Sequence, residues 1–302
     1  MPLQHGGRSV APMPLNHSHD THPGHGPGHG SGHDGDLIEI LDLDAVVLAE
    51  HLADIIRWLP FDAPPRRIVD LGCGTGAGTF ALLERLPDAH VIAVDSSVAH
   101  LQRLMSKACE RGEEHRVRTV QADLDGPTWP DLGRPDLVWA SASLHHLADP
   151  ERALRAVGSL LAPGGLFAVL ELAGFPRFLP ENMPTDRPGL EDRCHAAADR
   201  LHAGRMSHRG ADWGPLLTAA GFTVEGIRTI AVNVEGAGDH AVGAYALNGL
   251  TRIRHGLADA LDPEDLAALD RLLDTGGDQS ILRRGDLQVR TERTIWAARR
   301  PG

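Results

Sequence analysis

The stretch Ile68-Val69-Asp70-Leu71-Gly72-Cys73-Gly74-Thr75-Gly76-Ala77-Gly78-Thr79-Phe80 decides the fold. An apolar strand ends in an acid and runs into alternating glycines that open a helix. Gly72, Gly74 and Gly76 remove every Cβ from a tight strand-to-helix turn, so backbone can approach a ligand closely and adopt positive φ. A nucleotide-like cofactor is the expected occupant. The run Gly72 to Ala77 also satisfies the G-x-G-x-x-G/A pattern of dinucleotide-binding folds, so the glycines by themselves leave the cofactor class open.

Asp70 discriminates. It stands two positions before the first glycine, at the carboxyl end of the strand, where a pyrophosphate would be repelled by a carboxylate. S-adenosylmethionine carries no phosphate. It would bring a positive ammonium and a sulfonium to the same place, both favoured by an acid. The alternative is that Asp70 caps the following turn.

Outward from this turn the chain alternates regularly. Arg67 to Leu71 reads as strand one, followed by the glycine turn and a helix through Leu86. Val91 to Val94 is a buried parallel strand ending at Asp95-Ser96-Ser97, and Val98, Leu101, Met105 and Ala108 stripe the next helix. Val117 to Ala122 is strand three, ending at Asp123. Leu137 to Ala142 is strand four, running into Ser143-Leu144-His145-His146. Asp149 caps a helix with Pro150 at its first position, Gly164-Gly165 stops it, and Leu166 to Leu172 is strand five. Five alternations imply a doubly wound α/β fold, with a parallel sheet, right-handed crossovers and helices on both faces. Ligands of such sheets bind outside the carboxyl ends of the strands, where Asp70, Asp95 and Asp123 all fall and Glu171 lies close by. An acid after strand two suits both ribose hydroxyls, and one after strand three suits the exocyclic amine of adenine.

Upstream, Asp44 is a plausible helix cap, with Leu48, Leu52, Ile55, Ile56 and Leu59 on one face before Pro60. Residues 1–36 look different in kind. His17, His19, His22, His25, His29 and His33 alternate with Gly, Pro, Ser and Asp, so this tail is expected to be disordered, with the folded domain spanning 37–302. Such imidazoles can bind divalent metal adventitiously, though no fixed ligand spacing recurs. No other metal site is expected. The 302 residues carry a formal charge of −12 and no concentrated basic face, which argues against a nucleic-acid partner. Cys73, Cys109 and Cys194 are widely spaced and suggest a reducing compartment. With no apolar run of membrane-spanning length and no signal-peptide pattern, a cytoplasmic protein without membrane association is expected.

These motifs together resemble the class I S-adenosylmethionine-dependent methyltransferases of the small-molecule type. Asp70-Leu71-Gly72-Cys73-Gly74-Thr75-Gly76 is similar to the first motif, Val94-Asp95 to the ribose acid, and Ala122-Asp123-Leu124 to the adenine side. Asp136-Leu137-Val138 through Leu147 resembles the fourth-strand motif, and Leu161 to Gly165 the loop before strand five. The match covers roughly residues 45–172. The resemblance implies a Rossmann-like seven-stranded sheet, completed by a helix over Asp212 to Gly221 and antiparallel strands over Thr223 to Val234 and Gln288 to Arg299. It also implies S-adenosylmethionine as cofactor, held by Asp70, Gly72, Cys73, Gly74, Gly76, Asp95, Ser96, Asp123, Leu124 and Ala140. Segments at about 173–209 and 239–275, the latter holding a helix capped by Asp262 with Pro263, exceed the family pattern. They are expected to form lids that set the choice of small-molecule acceptor.

Methyl transfer from a sulfonium is an in-line displacement to oxygen, nitrogen or carbon, which first needs alignment in a dry site. A hydroxyl acceptor adds the need for a base. His145, His146 and the weaker candidate Glu171 are positioned for that role, and on an extended segment only one of the two histidines would reach the pocket. Between 187 and 209 the basic residues Arg187, Arg193, Arg200, Arg205 and Arg209 outnumber Glu191, Asp192 and Asp199, and Arg193 and Arg200, like His195 and His202, would share a helical face. That excess suggests an acidic or phenolic substrate; a solvated helix face explains it as well. Trp139, Phe178, Trp213 and Tyr245 could line an apolar pocket or belong to the core. Two rival functions are a non-catalytic cofactor-binding regulator and a nicotinamide-dependent oxidoreductase.

Overall fold

The computed structural model describes residues 30–202, 208–236 and 238–302. Its frame is a seven-stranded sheet in the order β3-β2-β1-β4-β5-β7-β6. Strands β1 (Arg67–Leu71), β2 (His90–Asp95), β3 (Val117–Gln121), β4 (Leu137–Ser141) and β5 (Leu166–Leu172) are parallel. Strand β7 (Gln288–Arg299) runs antiparallel between β5 and the edge strand β6 (Thr223–Glu235). Strand order reverses between β1 and β4, which makes that crevice the switch point.

The period of two along each strand sorts side chains onto two faces. Ile68, Trp139, Ala168 and Ile295 pack with α2 (Ala49–Trp58), α3 (Ala77–Arg85) and α4 (Val98–Arg111). Their neighbours Val69, Val138, Ala140, Phe167 and Trp296 pack on the opposite face with α5 (Pro150–Leu160) and α7 (Gly214–Ala219). Local signals start these helices. Ser97 Oγ accepts from the His100 N–H at the head of α4, and Asp149 accepts from Arg152 N–H at 2.9 Å at the head of α5, where Pro150 takes the first position.

Two segments outside this alternation form a further helical layer. Helix α6 (Leu190–His202) lies in the segment after β5, and α8 (His240–Gly256) and α9 (Pro263–Leu273) lie between β6 and β7. Phe178, Leu190, Cys194, Tyr245, Leu250, Leu269 and Val289 form their shared core. Phe178 and Tyr245 thus pack in that core, and Trp139 and Trp213 are wholly buried in the two sheet cores; none of the four is left to line an open apolar pocket. No helix among the described residues is long and apolar enough to cross a membrane.

The N-terminal region departs from expectation. Helix α1 runs from Gly30 to Val47, so it begins before Leu37, and Asp44 lies inside it rather than at a cap. The chain breaks at Leu48 before α2 begins. Acids inside a helix are poor starting signals once they have tertiary partners, and Asp44 Oδ1 accepts from both Tyr245 Oη and Arg293 Nη2 at 2.6 Å. His17, His19, His22, His25, His29 and Arg205 lie outside the described residues, and of His33 and His202 only the backbone is described.

Candidate active site

The glycine turn needs its glycines. Gly72, Gly74 and Gly76 have φ of 68°, 51° and 93°. A Cβ on Gly72 would lie 2.4 Å from Ser143 Cβ, and one on Gly76 would lie 2.8 Å from the Phe80 ring. The turn is pinned to the end of β2, because Gly72 and Cys73 N–H both donate to the Val94 carbonyl, at 2.8 and 3.0 Å. Cys73 is buried there, and burial pushes its thiol well up, which makes it a packing residue.

Asp95 joins this turn to the next. Its Oδ2 accepts from Gly74 N–H at 2.9 Å, and its Oδ1 accepts from Ser97 N–H at 2.9 Å and faces His100 Nδ1 at 3.3 Å. Burial works to raise its pKa, but the hydrogen bonds from His100, Ser97 and Gly74 outweigh that and hold it below the usual carboxylate range. An ionised carboxylate therefore stands at the carboxyl end of β2 in a fixed orientation. Ser96, beside it, is exposed, and its carbonyl accepts from Gln121 Nε2 at 3.2 Å.

Asp70 sits elsewhere than the sequence suggested. The period of two turns its side chain toward α3, where it is 1% exposed and its Oδ2 accepts from Thr79 Oγ1 at 2.6 Å. It lies beneath the turn, against Thr79 of α3. Burial pushes its pKa up to about 7, with the charge of Asp95 adding to the rise and the Thr79 bond opposing it. An unfolded chain ionises this group near 3.8, so between there and about 7 the folded state holds the extra proton and stability falls as pH rises. Asp70→Asn is expected to remove that fall. Denaturant unfolding of the cofactor-free protein at about pH 5 and about pH 8 checks it: the wild type loses stability relative to the variant, and parallel behaviour would exclude the effect.

Beyond β2, the loop after β3 is held by α5. Asp123 is exposed and its Oδ1 accepts from Asp125 N–H at 2.9 Å, while Leu124 is buried. Arg152 Nη2 donates to the Leu124 carbonyl at 3.0 Å, and Asp125 Oδ1 accepts from Ala148 N–H at 3.0 Å. Ala140 is wholly buried in the sheet core. The strand instead exits through Ala142, which has φ of 51°, and Ser143, whose Oγ donates to the Leu71 carbonyl at 2.8 Å. A non-glycine residue in that conformation is strained, and it sits where β4 opens onto the turn.

The candidate bases are brought together at the ends of β4 and β5. The segment Leu144–His146 is a single 3-10 turn, not an extended run, so the rings of His145 and His146 lie side by side at 4.1 Å. Glu171 accepts twice: Oε1 from Leu144 N–H at 2.9 Å, and Oε2 meets His145 Nδ1 at 2.5 Å. His145 and Glu171 are 4% and 2% exposed. With Nδ1 engaged, Nε2 is the ring nitrogen left for an acceptor's proton. Partial cover, reinforced by His145, holds the pKa of His146 below the ordinary imidazole value.

Helix α1 lies across the glycine turn. A Cβ on Gly74 would lie 3.3 Å from Leu41 Cδ1, and Asp42 accepts from Arg103 Nε at 2.8 Å and Lys107 Nζ at 2.9 Å on α4. The Thr75 residue beneath it is buried, and its hydroxyl lies toward the Asp42 carboxylate of α1. The Cβ-free cradle of Gly72, Gly74 and Gly76 fits a polar ligand seated over the turn. Among the described residues no cluster of His, Cys, Asp and Glu is placed to hold a metal ion.

Comparisons with known proteins agree with this geometry. Residues 69–167 match the family model described as a methyltransferase domain. A trans-aconitate 2-methyltransferase of Methylobacterium radiotolerans is 36% identical over 137 residues, 45% of this chain and 46% of that protein. A malonyl-[acyl-carrier protein] O-methyltransferase of Halorhodospira halophila is 34% identical over 188 residues, 60% of each. The chain thus spans about half the length of the curated relatives it matches. In fold, a crystal structure titled a putative methyltransferase from Bacillus halodurans aligns with TM-score 0.52 at 16% identity, over 84% of this chain and 100% of that one. Residues 69–167 thus carry a methyltransferase domain, set in a seven-stranded sheet with the glycine turn at the end of β1.

Proposed function

We propose that this protein binds S-adenosylmethionine and transfers its methyl group to an oxygen, nitrogen or carbon of a small molecule by in-line displacement. The observation that carries this reading is the ionised carboxylate of Asp95, fixed by Gly74, Ser97 and His100 beside the glycine turn. It would accept from the two ribose hydroxyls. The Asp123–Leu124 loop would flank the adenine, and the cradle at Gly72 to Gly76 would hold the methionine end. When bound, the cofactor supplies an electrophilic methyl group on a sulfonium.

The chain's own residues then align the acceptor, exclude water and manage its proton. Helix α1 covers the turn, and His145 Nε2 takes the proton of a hydroxyl acceptor while Glu171 fixes the tautomer. This favours O-methylation slightly over N- or C-methylation. It also supports catalysis over a regulator that merely binds cofactor, since a sensor has no use for a buried, oriented base. The relatives' names, trans-aconitate 2-methyltransferase and malonyl-[acyl-carrier protein] O-methyltransferase, differ in acceptor, so neither substrate transfers directly. The free thiols Cys73, Cys109 and Cys194 fit a cytoplasmic setting.

Calorimetric titration with S-adenosylhomocysteine and with NADH tests the cofactor. We expect the former to bind more tightly, and preference for NADH would overturn the reading. Methyl transfer from labelled cofactor, with trans-aconitate in the acceptor panel, separates an enzyme from a regulator.

A further inference from the structure

Arginines were expected in excess over the segment 187–209, and the structure divides them. Arg187 and Arg193 both clamp Asp265 of α9, through Nε at 2.6 Å and 2.9 Å, and Arg187 also pairs with Glu264. They brace the helical layer and are not available to a ligand. Arg209 is different.

Its backbone is held at the ligand end of the sheet. Gly210, the next residue, donates its N–H to the Leu172 carbonyl at 3.1 Å, one position beyond Glu171 on β5. Gly210 has φ of 72°, and a Cβ there would lie 3.1 Å from the Ala173 carbonyl, so the chain is clasped against the end of β5. The Arg209 side chain is only 8% exposed. Its Nη2 donates to Asp199 Oδ1 at 2.7 Å and its guanidinium lies 4.3 Å from the Phe175 ring centroid. Its Nη1 is buried and has no partner among the described residues. The Asp199 side chain is 65% exposed and shared with water, so it compensates the buried charge weakly.

A second orphan lies beside it. Asp192, His195 and Asp199 follow one another on one face of α6 at spacings of three and four. Asp192 pairs with Arg177 and Asp199 with Arg209, and between them His195 is 6% exposed with Nε2 buried and unpartnered. Burial, reinforced by Arg177, lowers the pKa of His195 to about 4, so it is neutral at pH 7 and can donate from Nε2.

Resting on the methyltransferase reading above, we propose that Arg209 Nη1, with His195 Nε2, forms a subsite for a carboxylate of the methyl acceptor, beside the His145–Glu171 pair. Buried donors left unpaired are costly, and a carboxylate with two acceptor oxygens satisfies both. A neutral acceptor offers them only a weaker, uncharged oxygen, and a cationic one is repelled by the guanidinium.

The probes are glutarate, phenylacetate and tricarballylate, each with its amide, titrated into the full chain saturated with S-adenosylhomocysteine. At least one acid is expected to bind roughly tenfold or more tightly than its amide, the scale of one charge-assisted hydrogen bond. Arg209→Gln removes that preference while S-adenosylhomocysteine affinity stays unchanged, and Arg209→Lys restores only part of it. Asp199→Asn, which frees the guanidinium without deleting it, keeps the preference. A purely structural arginine would make Asp199→Asn behave like Arg209→Gln. Equal binding of acids and amides, no binding of any acid at millimolar concentration, or unchanged binding in Arg209→Gln overturns the subsite. Failure of the wild type to bind S-adenosylhomocysteine at all overturns the methyltransferase reading instead.

Discussion

Asp95→Ala is expected to weaken S-adenosylhomocysteine binding by about a hundredfold or more. Two hydrogen bonds from ribose hydroxyls to an ionised carboxylate contribute about 1.5–3 kcal/mol each, and alanine removes both. The loss does not stop at the ligand. Gly74 N–H and Ser97 N–H both donate to this carboxylate, and His100 faces it, so alanine also unties the glycine turn from the head of α4. Asp95→Asn separates the two contributions: its single amide oxygen can keep one of these acceptor roles but carries no charge. We expect it to fall between wild type and alanine in a calorimetric titration. Alanine affinity equal to wild type would remove Asp95 from the cofactor site and, with it, the observation on which the proposed function rests.

The parallel half of the fold was readable because β1, β4 and β5 are covered on both faces, so each appears in sequence as a largely apolar run with an acid or a polar turn near its carboxyl end. The caps Asp149 and Asp262 were readable for a local reason, since each bonds a backbone N–H within three residues. What failed was what local patterns cannot carry. Asp42 and Asp44 hid helix α1, because their partners Arg103, Lys107, Tyr245 and Arg293 lie far along the chain. Counting charges over 187–209 overstated the ligand-facing arginines for the same reason, as Asp265 comes from a different insertion.

The candidate site was legible in its positions and less so in its directions. Asp70 is at the strand end where the pattern puts it, yet the strand's period of two aims it at Thr79 under α3. Ala140 similarly turns its side chain into the sheet core, one position before β4 ends at Ser141. His145 and His146 were read as opposed, which holds for extended chain, and the 3-10 turn places them together. Glu171 was the weaker catalytic candidate in sequence because a lone acid in an apolar strand has no local partner. Only the parallel pairing of β4 with β5 brings it under Leu144 and His145.

That pairing leads to the second large effect. Glu171→Gln is expected to lower kcat for a hydroxyl acceptor by about 10²–10⁴, the range that a misplaced general base costs. The carboxylate accepts from two donors at once, Leu144 N–H and His145 Nδ1. An amide has only one acceptor oxygen. If that oxygen serves the backbone N–H, the amide N–H₂ faces His145 Nδ1 and requires a lone pair there, which moves the imidazole proton to Nε2. The nitrogen needed as base is then already protonated, although the ring need not shift. If the oxygen serves His145 instead, the buried Leu144 N–H is left facing a donor, and the 3-10 turn itself is destabilised. The two cases are distinguished by thermal stability, which the first leaves nearly unchanged and the second lowers. Cofactor affinity should be retained in the first case, so that kcat falls without a matching change in S-adenosylhomocysteine binding. A wild-type kcat in Glu171→Gln with a hydroxyl acceptor would remove His145 as the base and leave alignment by the glycine turn, α1 and the acceptor subsite as the whole of the catalysis.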